Sequence, residues 1–322
     1  MSVRTILIAG ALGSLLFSGV AEAQTLKLSH NLDRNHPAHK AMEFMAKRAG
    51  ELSGGEVKIR VYPNAELGSQ RESLELVQNG TLALAKSNAA ELEAFEPIYG
   101  AFNQPYIFKD REHFYRVLLS DAGRKVLDAS KDKGFIGLAY YDSGSRSFYG
   151  KKPFNTPDDL KGLKVRVQPS PSAIELIETL GAQPVSLAYG ELYTALQQGL
   201  VDAAENNITA MTLGRHGEVA KFYSKDEHTR IPDVLVISTK VWEGLTDKQR
   251  DALRQAAVDS MLNMKDLWAQ SEELEAKNTE AMGVTLVTPD MDSFVKKVQP
   301  IYDRLQKEAP DIYSLIEEFK KL

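Results

Sequence analysis

A chain of 322 residues with 39 basic and 44 acidic side chains, a formal net charge of −5 and no cysteine is longer than one core usually organises, so two lobes are expected. The acidic balance leaves no basic footprint for nucleic acid. Without cysteine there is neither a disulfide nor thiolate chemistry, so a chain of this size is held by packing.

Met1 to Ala23 carries one early positive charge, Arg4, then an apolar run from Ile6 to Val20, and closes on the A-x-A-like Ala21-Glu22-Ala23. This is the pattern of a secretory signal peptide, with a mature chain beginning at Gln24. A membrane anchor would need about 20 apolar residues and no small-residue cleavage site.

From Thr25 strand and helix patterns alternate. TLKLSH reads as a strand and His36 to Leu52 as a helix stopped by Ser53-Gly54-Gly55; EVKIRVYP, the helix LGSQRESLELVQNG and the strand TLALAKSN follow. This βαβαβ order predicts a parallel sheet. After a helical stretch around Asp110 to Lys131, FIGLAYYDSG and SRSFYG read as strands about a Ser-Gly turn, and the grammar restarts. Thr156-Pro157-Asp158-Asp159 has an N-cap, a proline at the first helical position and a shortened capping-box partner. KVRVQ is a strand, Ser170-Pro171 opens the helix SAIELIETL, AQPVSL is a strand, and the helix ELYTALQQG leads to the short strand in LVDAAENN. Two rounds of this grammar predict two similar lobes. TRIPDVLVIST is strand-like and marks a return toward the first lobe. Thr246 to Met282 has no Gly or Pro, and a helix of that length is a rod of about 55 Å at about 1.5 Å per residue, long enough to lie across both lobes.

Several catalytic or metal arrangements can be assembled on paper. His30, His36 and His39 give H-x5-H-x2-H, a spacing too loose to favour zinc over histidines at element ends. His113, Asp142 and Ser145 suggest a hydrolase triad, but no G-x-S-x-G elbow is present. Neither G-x-G-x-x-G nor a P-loop occurs, so no nucleotide cofactor is expected. The polar strand ends say more. Arg146, Arg166 and Asn206 fall where open α/β sheets bind ligands, outside the carboxyl ends of their strands. Two guanidinium forks directed into one crevice suit a carboxylate. For Arg166 alone, an ion pair with a buried Asp or Glu is an equal alternative.

The segments VYPNAELGSQRE, YYDSGSRSFYGKKPFNTPDDLKGLKVRVQPSP and YGELYTALQQGLVDAAENN, in this order, resemble the solute receptors of tripartite ATP-independent periplasmic (TRAP) transporters through nearly the whole mature chain. The resemblance implies an α/β fold of two lobes joined by a hinge and bridged by a long helix. On that pattern residues 24–143 with 232–271 form lobe I, and 144–231 with 272–322 form lobe II. It implies a non-catalytic periplasmic receptor that works as a monomer, captures an organic acid and passes it to membrane permease subunits, with no cofactor and no metal. Arg166 matches the arginine that pairs with the ligand carboxylate, Asn206 the asparagine that bonds the same group, Arg146 a second ligand-facing arginine, and Tyr189 an aromatic packed on the ligand where many relatives carry phenylalanine. Many members read D-G-x-E-N-P where this chain has Asp202-Ala203-Ala204-Glu205-Asn206-Asn207. ENN together with YYDSGSRSFY and DEHTRIP is most similar to the branch that binds hexuronates such as glucuronate and galacturonate. Hydroxyl partners for a sugar acid are expected from lobe I, where His30, Glu72 and Asn88 stand at element ends. A C4-dicarboxylate or aldonic acid receptor and a secreted hydrolase are the competing readings.

Overall fold

The computed structural model describes residues 25–322; the expected signal peptide lies outside the described residues. Eleven strands are present among them: β1 (Thr25–Ser29), β2 (Lys58–Tyr62), β3 (Leu84–Asn88), β4 (Phe135–Tyr141), β5 (Arg146–Gly150), β6 (Lys164–Val167), β7 (Gln183–Ser186), β8 (Ala203–Asn206), β9 (Phe222–Thr229), β10 (Asp233–Ser238) and β11 (Thr285–Val287). They form two sheets, in the orders β2-β1-β3-β10-β4 and β11-β9-β5-β8-β6-β7. In the first, β1 runs parallel to β2 and β3, as the βαβαβ pattern predicts, while β10 is antiparallel to both its neighbours. In the second, β6 is parallel to β7 and β8, and β5 is antiparallel to β8 and β9.

The local signals act as expected. Ser69 and Glu72 close a capping box on the helix Gln70–Asn79. Asp159 Oδ2 accepts from the Asn155 and Thr156 N–H groups, at 2.7 and 2.9 Å, at the start of the 3-10 turn Pro157–Leu160. Ser170 caps the helix Pro171–Thr179 by accepting from the Ala173 N–H. Each satisfies N–H groups that a helix start leaves without partners.

The chain crosses between the sheets twice within a short space, from β4 to β5 and from β9 back to β10. FIGLAYY therefore belongs to the first sheet, and the second begins only at Arg146; the turn between them is the crossing. The two crossings are stitched together: Ser143 Oγ donates to Ile231 O at 2.5 Å and Arg230 Nη2 to Ser145 Oγ at 2.7 Å. Gly144, at φ +67°, lies against the Trp268 ring so closely that a Cβ would meet it at 2.7 Å. β9 was not anticipated: its KDEH run reads as surface, yet Asp226 and His228 are buried.

The helix Asp247–Ala281 runs unbroken for 35 residues from a Thr246 capping box, a length of about 52 Å. Its first half packs on the helix Pro37–Ser53 and on β4, with Tyr141 Oη donating to Ser260 Oγ at 2.8 Å; farther along, it packs on the short helix Thr209–Thr212 of the second half. It thus spans both sheets. Of the last fifty residues, β11 joins the second sheet, whereas the helix Pro310–Lys321 packs on the segment Pro97–Phe102, with Phe319 stacked on Phe102 at 4.9 Å. No helix among the described residues is long and apolar enough to cross a membrane.

Candidate functional site

Asn88 ends β3, Asn206 ends β8, and Gln168 follows β6. The carboxyl ends of strands from both sheets therefore meet around one cavity, the position where open α/β sheets bind ligands. The space between the lining side chains, its mouth to solvent included, is about 540 Å³.

Arg166 is the dominant group in it. It is 1% exposed, in the middle of β6. Its Nε and Nη2 both donate to Leu187 O, at 3.0 and 2.7 Å, while Nη1 has no partner in the protein. No carboxylate lies within ion-pair distance of it among the described residues, so the structural ion pair is not what holds it. Burial lowers the Arg166 pKa, Arg146 pushes the same way, and Glu205, Tyr149 and Glu91 offset only part of this. A desolvated cation with an unused donor facing a cavity is costly by itself and is favoured by an anion placed there.

Arg146 also lines the cavity, but its guanidinium is engaged within the protein. Its Nε and Nη2 grip Glu205 at 2.6 and 2.8 Å, Nη2 also reaches Glu205 O, and Nη1 donates to Asn206 Oδ1 at 2.9 Å. Asn207 N–H donates to the same Oδ1 at 2.8 Å. With its oxygen committed twice, Asn206 keeps its amide N–H groups for the cavity. Behind this pair His228 stacks on Phe148 and lies between Asp226, 2.7 Å from Nδ1, and Glu205, 3.5 Å from Nε2. Burial alone would lower the His228 pKa, but Asp226 and Glu205 outweigh it and hold it at about 9; burial would raise Glu205, but Arg146 and then His228 bring it to about 2. The result is a buried row of alternating charge, Arg146, Glu205, His228 and Asp226, that neutralises itself and leaves Arg166 as the unpaired cation.

Tyr189 lines the cavity, half-buried, with its ring 5.5 Å from that of His216. Burial pushes its hydroxyl up to about 12 against the pull of Arg166 and Arg146. Asn88 also lines the cavity, its Oδ1 capping the Glu91 N–H at 2.9 Å. The other two residues proposed from position do not line it. His30 is buried beneath, its Nδ1 accepting from the Leu32 N–H at 3.1 Å and its Nε2 meeting His39 Nδ1 at 2.9 Å, so both ring nitrogens are used. Glu72 is exposed and committed to its capping box, on the rim of an outer groove. Residues not picked out from the sequence fill their place. Asn31 follows β1, Gln70 opens its helix, and Gln168 follows β6; each places a buried side-chain oxygen without a partner at the cavity. Lys86 and Asp233, from neighbouring strands, pair at 3.0 Å on its wall. Lys86 could have been noticed as a charge inside an otherwise apolar strand.

The histidine cluster and the paper triad are accounted for otherwise. His36 caps its helix through Nδ1 and meets Thr209 Oγ1 of the other half at 3.3 Å. His113 Nε2 bonds Phe319 O at 2.8 Å, Asp142 pairs with Arg111 and Arg230, and Ser145 accepts from Arg230. His113, Asp142 and Ser145 thus each bond other partners and do not form a triad.

A family profile described as bacterial extracellular solute-binding protein, family 7, matches residues 28–309. The chain belongs to this family. It is similar to a solute-binding protein of Chromohalobacter salexigens, 33% identical over 99% of this chain and 95% of that one. Among solved structures it is similar to a TRAP periplasmic solute-binding protein from Bradyrhizobium in complex with D-galacturonate, with TM-score 0.90, 38% identity and coverage of 93% and 100%. It is also similar to one from Chromohalobacter salexigens with bound D-glucuronate, with TM-score 0.88, 34% identity and coverage of 92% and 99%. As a member of this family the chain is a periplasmic solute receptor of a TRAP transport system and not an enzyme.

Proposed function

We infer that this receptor captures a hexuronate, D-glucuronate or D-galacturonate. Arg166 holds the carboxylate as the principal ionic contact, and Asn206 donates its amide to the same group. Arg146 orients Asn206 and adds its field, and the Tyr189 ring covers the sugar. Asn88 serves the hydroxyl end from the first lobe. The observation that carries the reading is the Arg166 guanidinium, desolvated and with Nη1 unpartnered at the cavity. The unpaired oxygens of Asn31, Gln70 and Gln168 support a ligand whose remainder is rich in hydroxyl donors. The bound D-galacturonate and D-glucuronate of the similar structures are of this chemistry.

In this reading residues 1–23 are removed on export. The lobes, 24–143 with 232–271 and 144–231 with 272–322 except the terminal helix Pro310–Lys321, which packs on the first, move about the paired crossings. Ligand favours the closed arrangement by contacting both sides, a population shift that presents a composite surface to the permease. Two charge-assisted bonds at roughly 1.5–3 kcal/mol each, with neutral hydrogen bonds and a covered ring face, reach the roughly 8 kcal/mol of a micromolar complex.

The test is a thermal-shift screen of residues 24–322 against hexuronates, aldonates, C4-dicarboxylates and sialate, repeated with Arg166→Ala. A rise in melting temperature with a hexuronate that vanishes in the variant is expected. A rise only with another acid discards the hexuronate, and a rise that survives the substitution discards Arg166.

A further inference from the structure

The charged groups of the cavity can be matched one by one. Arg146 is committed to Glu205, and Lys86 to Asp233 at 3.0 Å. This leaves Arg166 and one carboxylate, Glu91. Glu91 occupies the short helix Ala89–Glu93 directly after β3 and is 5% exposed. Its Oε1 accepts from Gln70 Nε2 at 2.9 Å, and no basic side chain lies within ion-pair distance among the described residues. Gln70, so fixed, leaves its own Oε1 without a partner beside the equally unpartnered oxygens of Asn31 and Gln168. The cavity therefore offers one unpaired cation and, by Glu91, a carboxyl without a cationic partner beside three unpartnered amide oxygens.

Resting on the reading that Arg166 takes the ligand carboxylate, we propose that Glu91, held by Gln70, is a specificity-determining residue that restricts the site to acids with a single carboxylate. A hydroxyl at the far end donates to these oxygens. A second carboxylate placed against Glu91 meets a buried carboxyl with no cationic partner, a like-charge encounter in a setting where solvent screening is weak. The selection is thus by ligand charge and not by chain length.

The test uses two six-carbon acids that differ only at one end, D-gluconate with a hydroxymethyl group and D-glucarate with a carboxylate, alongside D-galacturonate and D-glucuronate. Titration calorimetry is run on the mature protein, Glu91→Gln, Glu91→Ala and Arg166→Met. Wild type is expected to bind D-glucarate at least 10-fold more weakly than D-gluconate. Glu91→Gln should bind D-glucarate at least 10-fold more tightly than wild type does, with a smaller change for the hexuronate. Glu91→Ala carries the same expectation should the first variant misfold. Glucarate affinity unchanged or absent in both variants, or a wild type that prefers the diacid, overturns the proposal. A hexuronate that binds Arg166→Met as tightly as wild type instead overturns the reading of Arg166, and the two failures are told apart by which variant produces them.

Discussion

Replacing Arg166 by methionine should abolish binding without harming the fold. On the ligand side the substitution removes Nη1 and the spare donor of Nη2, at least two charge-assisted bonds worth about 3–6 kcal/mol together, or roughly 10²- to 10⁴-fold in Kd. On the folding side it removes a cation that is 1% exposed and whose partner in the protein is one carbonyl, Leu187 O. Loss of those two charge-assisted bonds costs about 3–6 kcal/mol, which removal of a guanidinium otherwise unpaired in the interior, itself worth several, offsets. Methionine fills most of the volume, so little cavity is added. The ligand-free variant is expected to be about as stable as wild type. Urea unfolding of the ligand-free proteins measures the first quantity and titration calorimetry with a hexuronate the second. A variant destabilised by more than about 2 kcal/mol that still binds within threefold of wild type would refute the argument, because Arg166 would then be a structural residue.

Other perturbations give equally definite results. Glu205→Gln removes the anion between Arg146 and His228, and should cost about 3–5 kcal/mol in urea unfolding because two buried cations lose their shared partner; it should also weaken binding, since Arg146 no longer fixes Asn206. Gly144→Ala imposes a left-handed backbone on alanine and drives a Cβ into Trp268, for roughly 2–4 kcal/mol read as a lowered melting temperature. Acidification should destabilise the protein between pH 6.5 and 4. His30, His36 and His216 are buried, and burial first, then nearby cations, lowers them to about 2, 3 and 3. The unfolded chain takes up protons below its ordinary histidine pKa and the folded chain does not, so each contributes a loss of roughly 2 kcal/mol from pH 7 to 5. His228 has the opposite sign: its raised pKa contributes stability that is complete below pH 6.5 and lost as the pH rises through about 9. Unfolding free energy measured from pH 4 to 10 should therefore fall on both sides of a maximum, and a flat profile below pH 6.5 would contradict the burial of those three histidines.

What could be read from the chain depended on whether the relevant physics was local. The helix of 35 residues was legible because Thr246 caps it and no Gly or Pro interrupts it. Strand β6 was legible from its alternation, and Arg166 drew notice as a charge inside it. The alternation of β4 could not by itself say which sheet it joins, since that depends on pairing with β10, nearly a hundred residues later; only the family resemblance grouped residues 24–143 with 232–271. Strand β9 was missed because Asp226 and His228 look solvated until Arg146 and Glu205 are brought to them from other strands. The same limit acted at the site. Position near an element end could not tell Glu72, which turns back to its own cap, from Gln70 two residues earlier, which faces the cavity. His30, expected likewise from its position after β1, has both ring nitrogens taken by Leu32 and His39.

The most direct test of the account is a crystal structure of the mature protein with D-galacturonate or D-glucuronate bound. The account predicts the ligand carboxylate on Arg166, with Nη1 and the Asn206 amide as donors and the hydroxyls directed toward Asn31, Gln70 and Glu91. A ligand with its carboxylate on Lys86 and a hydroxyl against Arg166 would contradict it.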